Sequence, residues 1–227
     1  MYNMKKVLYI GSFVAAILML MLVLWKEDYY LPLSFMFIGL AMLPFYVRLE
    51  SKKMRAEEIL LIAMLGAIAA ISRIPFAPLP SVQPTSFVIM MSALVFGPEV
   101  GFLVGSIAAI VSNLFLGQGP WTPWQMFCWG MIGFTAGMLR NTFIMKRLWG
   151  KNVFGFIWGF VFGWIMNLWF LLGFYEDLSW PLFVSAYAAS FYFDLAHAVS
   201  NVVFITFFSA IWLKILGRIK MKYGLLK

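Results

Sequence analysis

Five residues toward the C-terminal end, Tyr187, Ser190, Asp194, His197 and Asn201, follow one another at spacings of 3, 4, 3 and 4. On an α-helix, at about 100° per residue, they fall within an arc of about 80°. The opposite side carries Ala188, Tyr192, Leu195, Val199 and Val203, apolar apart from one phenol. Asp194 and His197, one turn apart, permit acid–base exchange on a bound substrate, and Asp194 alone permits a proton relay. Neither chemistry comes with its usual companions. The chain has one histidine and one cysteine, Cys128, which excludes a multi-histidine metal site, a Cys-based zinc site and an internal disulfide. No Gly-x-x-x-x-Gly-Lys-Ser/Thr phosphate loop, His-Glu-x-x-His pair or Gly-x-Ser-x-Gly elbow is present. We therefore expect no catalytic residues, no metal and no catalytic cofactor, and a stripe that binds rather than reacts.

The elements that carry this stripe are hydrophobic. Of 227 residues, 63% are hydrophobic and 11% charged, against about 25% charged in soluble domains. A bilayer core of about 30 Å needs about 20 apolar helical residues. Reading on that basis predicts an all-α integral membrane protein with segments at 7–25, 30–47, 57–74, 86–97, 100–116, 124–139, 153–173 and 183–213. The first follows Lys5 and Lys6 and lacks a small-residue cleavage site, which reads as a retained signal anchor. The fourth is short and ends at Gly97-Pro98, so it must be sheltered by protein or thin the bilayer. With the amino terminus in the cytoplasm, the inside receives Lys5, Lys6, Arg48, Lys52, Lys53, Arg55, Arg140, Lys146, Arg147, Lys151, Lys214, Arg218, Lys220, Lys222 and Lys227. Only Lys26 and Arg73 then lie outside. The positive-inside rule selects this orientation, with both termini cytoplasmic. The net charge of +8 thus reports topology and not a nucleic-acid partner.

The basic linker 48–55 divides the chain into an accessory hairpin, 1–50, and a six-helix core, 56–227. Most of the polar groups inside the spans belong to the core. Counted at about 1.5 Å per residue from the cytoplasmic ends, Arg73, Asn113 and Asn167 lie about 21–24 Å deep, and Asp194 about 30 Å above Lys214. These four helices bring polar groups to one level near the outside. An intramembrane carboxylate needs a partner, and Arg73 is the long basic side chain available to Asp194; His197 is within one turn of it. Two outer loops overlie that level. The first, 74–85, has four prolines and includes Phe76, Gln83 and Thr85. The second, 117–125, presents Gln118, Trp121, Trp124 and Gln125 on a Pro/Gly-braced turn. Such loops either lid an outward pocket or form an interfacial aromatic belt. Small residues spaced by four mark helix seams: Ala63-x-x-x-Ala67, Gly66-x-x-x-Ala70, Gly101-x-x-x-Gly105 and Gly133-x-x-x-Gly137.

The core resembles the substrate-binding S components of energy-coupling-factor vitamin transporters. The residues that carry the likeness are the Ala63/Ala67 seam, Ser72-Arg73-Ile74-Pro75, Gln83-Pro84-Thr85, the turn Phe96-Gly97-Pro98-Glu99-Val100-Gly101, and Gly105. The run from Gly117 to Met126, followed by the Gly-rich stretch 130–137, looks most like the cobalamin-specific branch. The resemblance implies a multi-pass binder in the bacterial cytoplasmic membrane. It would capture cobalamin, as transported ligand, at the outer face and dock on a transmembrane coupling (T) subunit driven by two cytoplasmic ATPases. It assigns docking to Ala63 and Ala67; Gly66 and Ala70 extend that face. The hairpin 1–50 departs from a minimal six-helix member.

A corrinoid would suit Phe76, Trp121, Trp124 and Tyr187 as walls. Gln83, Gln118, Gln125, Asn113 and Asn167 would be its amide partners, and Arg73 would meet its anionic group. Thr85, Asp194 and His197 complete the expected substrate-binding set. The same inventory would serve another flat heterocycle, such as a queuosine precursor. A stand-alone proton-coupled carrier using Asp194 and a membrane enzyme using Asp194 and His197 remain the competing classes.

Overall fold

Glycine and proline place the helix boundaries. The computed structural model describes residues 54–175 and 177–225, together with 35, 36, 38–40, 42, 43, 46 and 47. The predicted segment 7–25 lies outside the described residues, as does half of 30–47. No strand occurs among the described residues. The helices are α1 (Ala56–Ile71), α2 (Thr85–Phe96), α3 (Pro98–Leu116), α4 (Thr122–Leu139), the single turn α5 (Phe143–Lys146), α6 (Leu148–Phe174) and α7 (Trp180–Tyr223). A 3-10 turn at Ile74–Phe76, with Pro75 inside it, follows α1. Helices α3 and α4 each carry proline in the first turn, where its missing N–H costs nothing. Gly97 separates α2 from α3 at a φ of 105°, a conformation that side-chain-bearing residues rarely adopt. The Arg140 guanidinium lies where a Cβ at Gly97 would stand.

Helix α1 with the turn after it, α3, α6 and α7 are each long and apolar enough to cross a membrane; α2, at 12 residues, is not. The short α2 is sheltered instead. Ten of its twelve residues are buried, among them Phe87, Ile89, Met90 and Met91, which join Leu61, Leu65, Val104, Trp129, Ile132 and Ile205 in the core. The last two helices run longer than the sequence predicts. The added turns hold Lys151 on α6 and Lys214, Arg218, Lys220 and Lys222 on α7, residues that a hydropathy reading leaves out but a helix accepts. Pro181 stands in the first turn of α7, where its missing N–H costs nothing.

The chain divides into two units, 1–53 with Met166–Ala189, and Met54–Ile165 with Ser190–Lys227. In the first, Ile38 and Met42 are buried, and aromatic side chains pair locally, Trp169 with Phe174 and Phe183 with Tyr187. The second unit holds two glycine-lined seams. A Cβ at Gly133 would strike the backbone of Gly101, and one at Gly105 the backbone of Trp129 and Gly130, so α3 and α4 touch main chain to main chain. On α6, Gly155, Gly159 and Gly163 face Ile205, Ala198 and Asp194 of α7 in turn.

Candidate functional site

Arg73 stands just after α1, at the start of the 3-10 turn, and is half-buried. Its Nη1 donates to Asn113 Oδ1 at 3.0 Å and to Ser112 Oγ at 3.1 Å, both on α3. Asn113 in turn uses its amide nitrogen to reach α4, donating to Gln125 Oε1 at 2.7 Å and Thr122 Oγ1 at 2.9 Å. The Thr122 hydroxyl donates to Gln118 Oε1 at 2.8 Å, and Gln118 Nε2 donates back to the Ile110 carbonyl at 2.9 Å. One chain of amides and hydroxyls therefore ties α1, α3, α4 and the loop between the last two. Every bond in it is short enough to count, and such a network rigidifies a site when its members are satisfied. The guanidinium also lies 5.2 Å over the Trp129 ring, within cation–π range.

Arg73 does not pair with Asp194. Its guanidinium is directed by the 3-10 turn toward α3, whereas Asp194 accepts from Ser190 Oγ at 3.0 Å on its own helix and packs against Gly163. His197 likewise turns from Asp194. It shares a hydrogen bond of 3.0 Å with Ser86 Oγ of α2 and meets Phe162 edge-on at 5.0 Å. Asp194, His197 and Asn201 are all buried, so the wet stripe on α7 faces protein as its spacing requires. Ser200, beside it, exchanges hydrogen bonds with the Gln83 backbone. Rings join the two polar groups: Trp129 under Arg73 stacks on Phe162 at 5.6 Å, and Phe162 contacts His197.

The remaining candidates distribute unevenly. Phe76 packs edge-on against Phe204 at 5.5 Å. Thr85 is buried and donates to the Ala69 carbonyl. Trp121 is half-buried with its ring on Gly119. Trp124 is buried, and its indole nitrogen lacks a partner, as does that of Trp129. Asn167 and Tyr187 are half-buried in the other unit. Sequence reasoning passed over Ser86, Ser112, Thr122, Trp129 and Ser200. Small hydroxyls and one indole inside apolar runs give no periodic signal; only their neighbours Thr85, Asn113 and Asn201 hinted at them.

A family model described as the substrate-specific component of ECF transporters matches residues 57–216. The chain belongs to that family. That family is one of transport subunits and not of enzymes, and the long apolar helices agree with a multi-pass membrane protein. It is 33% identical over 88 residues to a UPF0397 protein of Vibrio atlanticus, covering 37% of this chain and 48% of that one. UPF0397 proteins of two Aliivibrio fischeri strains are 32% identical over the same lengths. The match thus spans about half the length of these curated relatives. No solved structure matches the chain. On the expected docking face of this S component, Ala63 is exposed and Ala67 half-buried. Gly66 and Ala70 are buried, and Gly66 packs on Ile107 of α3. Those two line the internal seam instead, because they sit on the inward side of α1.

Proposed function

We propose that this S component captures a vitamin-like heterocycle at the outer face of the bacterial cytoplasmic membrane, with cobalamin or a related corrinoid as first candidate. It then docks on a transmembrane coupling subunit driven by two cytoplasmic ATPases. The family match supports the transport role; the ligand rests on the site. The observation that carries it is the state of Arg73. One of its nitrogens is held by Ser112 and Asn113, and among the described residues its Nε and Nη2 make no hydrogen bond. An intramembrane cation with spare donors is costly unless something else meets it, and the fork suits a phosphate or carboxylate. Gln118 and Trp121 are the accessible groups of the neighbouring loop, and Phe76 offers an apolar wall. Ala63 and Ala67 form the face for the coupling subunit, with both termini cytoplasmic and the hairpin 1–50 accessory to the core 56–227.

Calorimetric titration of the purified chain with cobalamin and with cobinamide, which lacks the nucleotide phosphate, tests the ligand. Binding on the nanomolar scale, about −12 kcal/mol, is expected for cobalamin. Absence of binding to both would move the search to smaller heterocycles such as a queuosine precursor.

A further inference from the structure

At the other end of α7 a second group of charges is built differently. The helix runs 44 residues, about 66 Å at 1.5 Å per residue, against a hydrocarbon core of about 30 Å. Its last turns bear Lys214, Arg218, Lys220 and Lys222. Lys220 is committed inward, its ammonium donating at 2.8 Å to the Val95 carbonyl in the last turn of α2, where a cation meets the negative helix end. Arg55 closes α7 itself by donating to the Gly224 carbonyl at 2.8 Å, and Leu216 and Leu225 are buried. These contacts fix the rotation of the helix end. Lys214, Arg218 and Lys222, spaced by four, must then share the opposite side, and all three are exposed.

No carboxylate neutralises them among the described residues, where the ion pair recorded is Arg55 with Glu58. Around them stand apolar side chains open to the surroundings, Ile211, Ile215, Met221 and Tyr223. Arg218, Ile219, Met221, Lys222 and Tyr223 line a shallow open recess of about 540 Å³. Cations flanked by exposed apolar groups at the end of a membrane-spanning helix match a phosphate headgroup above its acyl chains.

We propose that Lys214, Arg218 and Lys222 form a binding site for anionic phospholipid headgroups of the leaflet at that end of the molecule. The site is separate from the substrate layer and works in either orientation of the chain.

The full chain, purified in mild detergent, would be exposed to phosphatidylglycerol and to phosphatidylcholine and analysed by native mass spectrometry for retained lipid. Preferential retention of phosphatidylglycerol is expected, falling by about fivefold for each cation removed in the series Lys222→Gln, then Lys222→Gln with Arg218→Gln, then all three. Lys146→Gln, an exposed cation outside the stripe, should leave the preference intact, and single variants that keep the parental melting temperature exclude misfolding as the cause. An unchanged preference in the triple variant overturns the proposal. So does an equal loss in Lys146→Gln, which would make the effect one of net charge. Displacement of the lipid by millimolar inorganic phosphate would overturn it in favour of a free-anion site.

Discussion

The two glycine seams use one spacing for opposite purposes. Between α3 and α4, glycine meets glycine: Gly133 lies on Gly101, and Gly137 lies on the backbone of Pro98. Nothing intervenes, and the main chains approach as closely as small residues permit in lipid. Between α6 and α7, glycine meets a side chain. Gly155 receives Ile205, and Gly163 receives the carboxylate of Asp194. At Gly101 and Gly133 the first seam leaves no room for a side chain; at Gly163 the second makes room for a polar one. A glycine every fourth residue is thus a statement about space, and what fills the space is decided by the facing helix.

That contrast can be broken most severely at the closed seam. Gly133→Leu has only backbone to displace, and it should destabilise the chain by about 3 kcal/mol or more, read as a large fall in melting temperature in detergent. A variant that melts normally would mean that the helices are not in backbone contact. Next comes the polar layer that the closed seam supports. Arg73→Ala should weaken ligand binding about tenfold to hundredfold, the range for losing a charged hydrogen bond of about 1.5–3 kcal/mol. Titration calorimetry measures it, and Arg73→Lys should recover only part of the loss because it lacks the planar fork. At the open seam the obstacle to a new methyl is the end of a side chain. Gly163→Ala should therefore cost about 1 kcal/mol, and Asp194→Asn combined with it should be no worse than the sum of the two. A Gly163→Ala loss as large as that of Gly133→Leu would erase the distinction between the seams. Smallest for the isolated chain is Ala67→Trp, on the side of α1 away from both seams. Stability and ligand affinity should hold while uptake in cells stops; loss of binding would place Ala67 in the core and not at an interface.

Helical periodicity made the wet face of α7 legible, since Asp194, His197 and Asn201 needed only a 3.6-residue repeat to be placed on one buried side. The outer face follows the same rule, and Tyr192 stands 79% exposed. The shortness of α2 was legible from Gly97-Pro98. Pairing was not. Which partner Arg73 takes depends on the 3-10 turn at Ile74–Phe76 and on how α3 is rotated, and neither leaves a trace in spacing. Burial of Gly66 and Ala70 beside the more open Ala63 and Ala67 is a similar case: four small residues on one helix look alike until a neighbour such as Ile107 chooses a side. The α6 seam, Gly155, Gly159 and Gly163, obeys the spacing rule that singled out the other seams. It went unread because its tryptophans and phenylalanines dominate that stretch.

The brevity of α2 also bears on how the molecule is made. Twelve residues cover about 18 Å of a core of about 30 Å, so α2 is too short to be inserted and held as a span of its own. Its serines and threonine have partners only from other helices or from its own backbone, Thr85 with Ala69, Ser86 with His197, Ser92 with Val88. Two of those three come from α1 and α7, helices far apart in the sequence. Joined to α3 through Gly97, α2 therefore has its Ser86 satisfied only when α7 brings up His197.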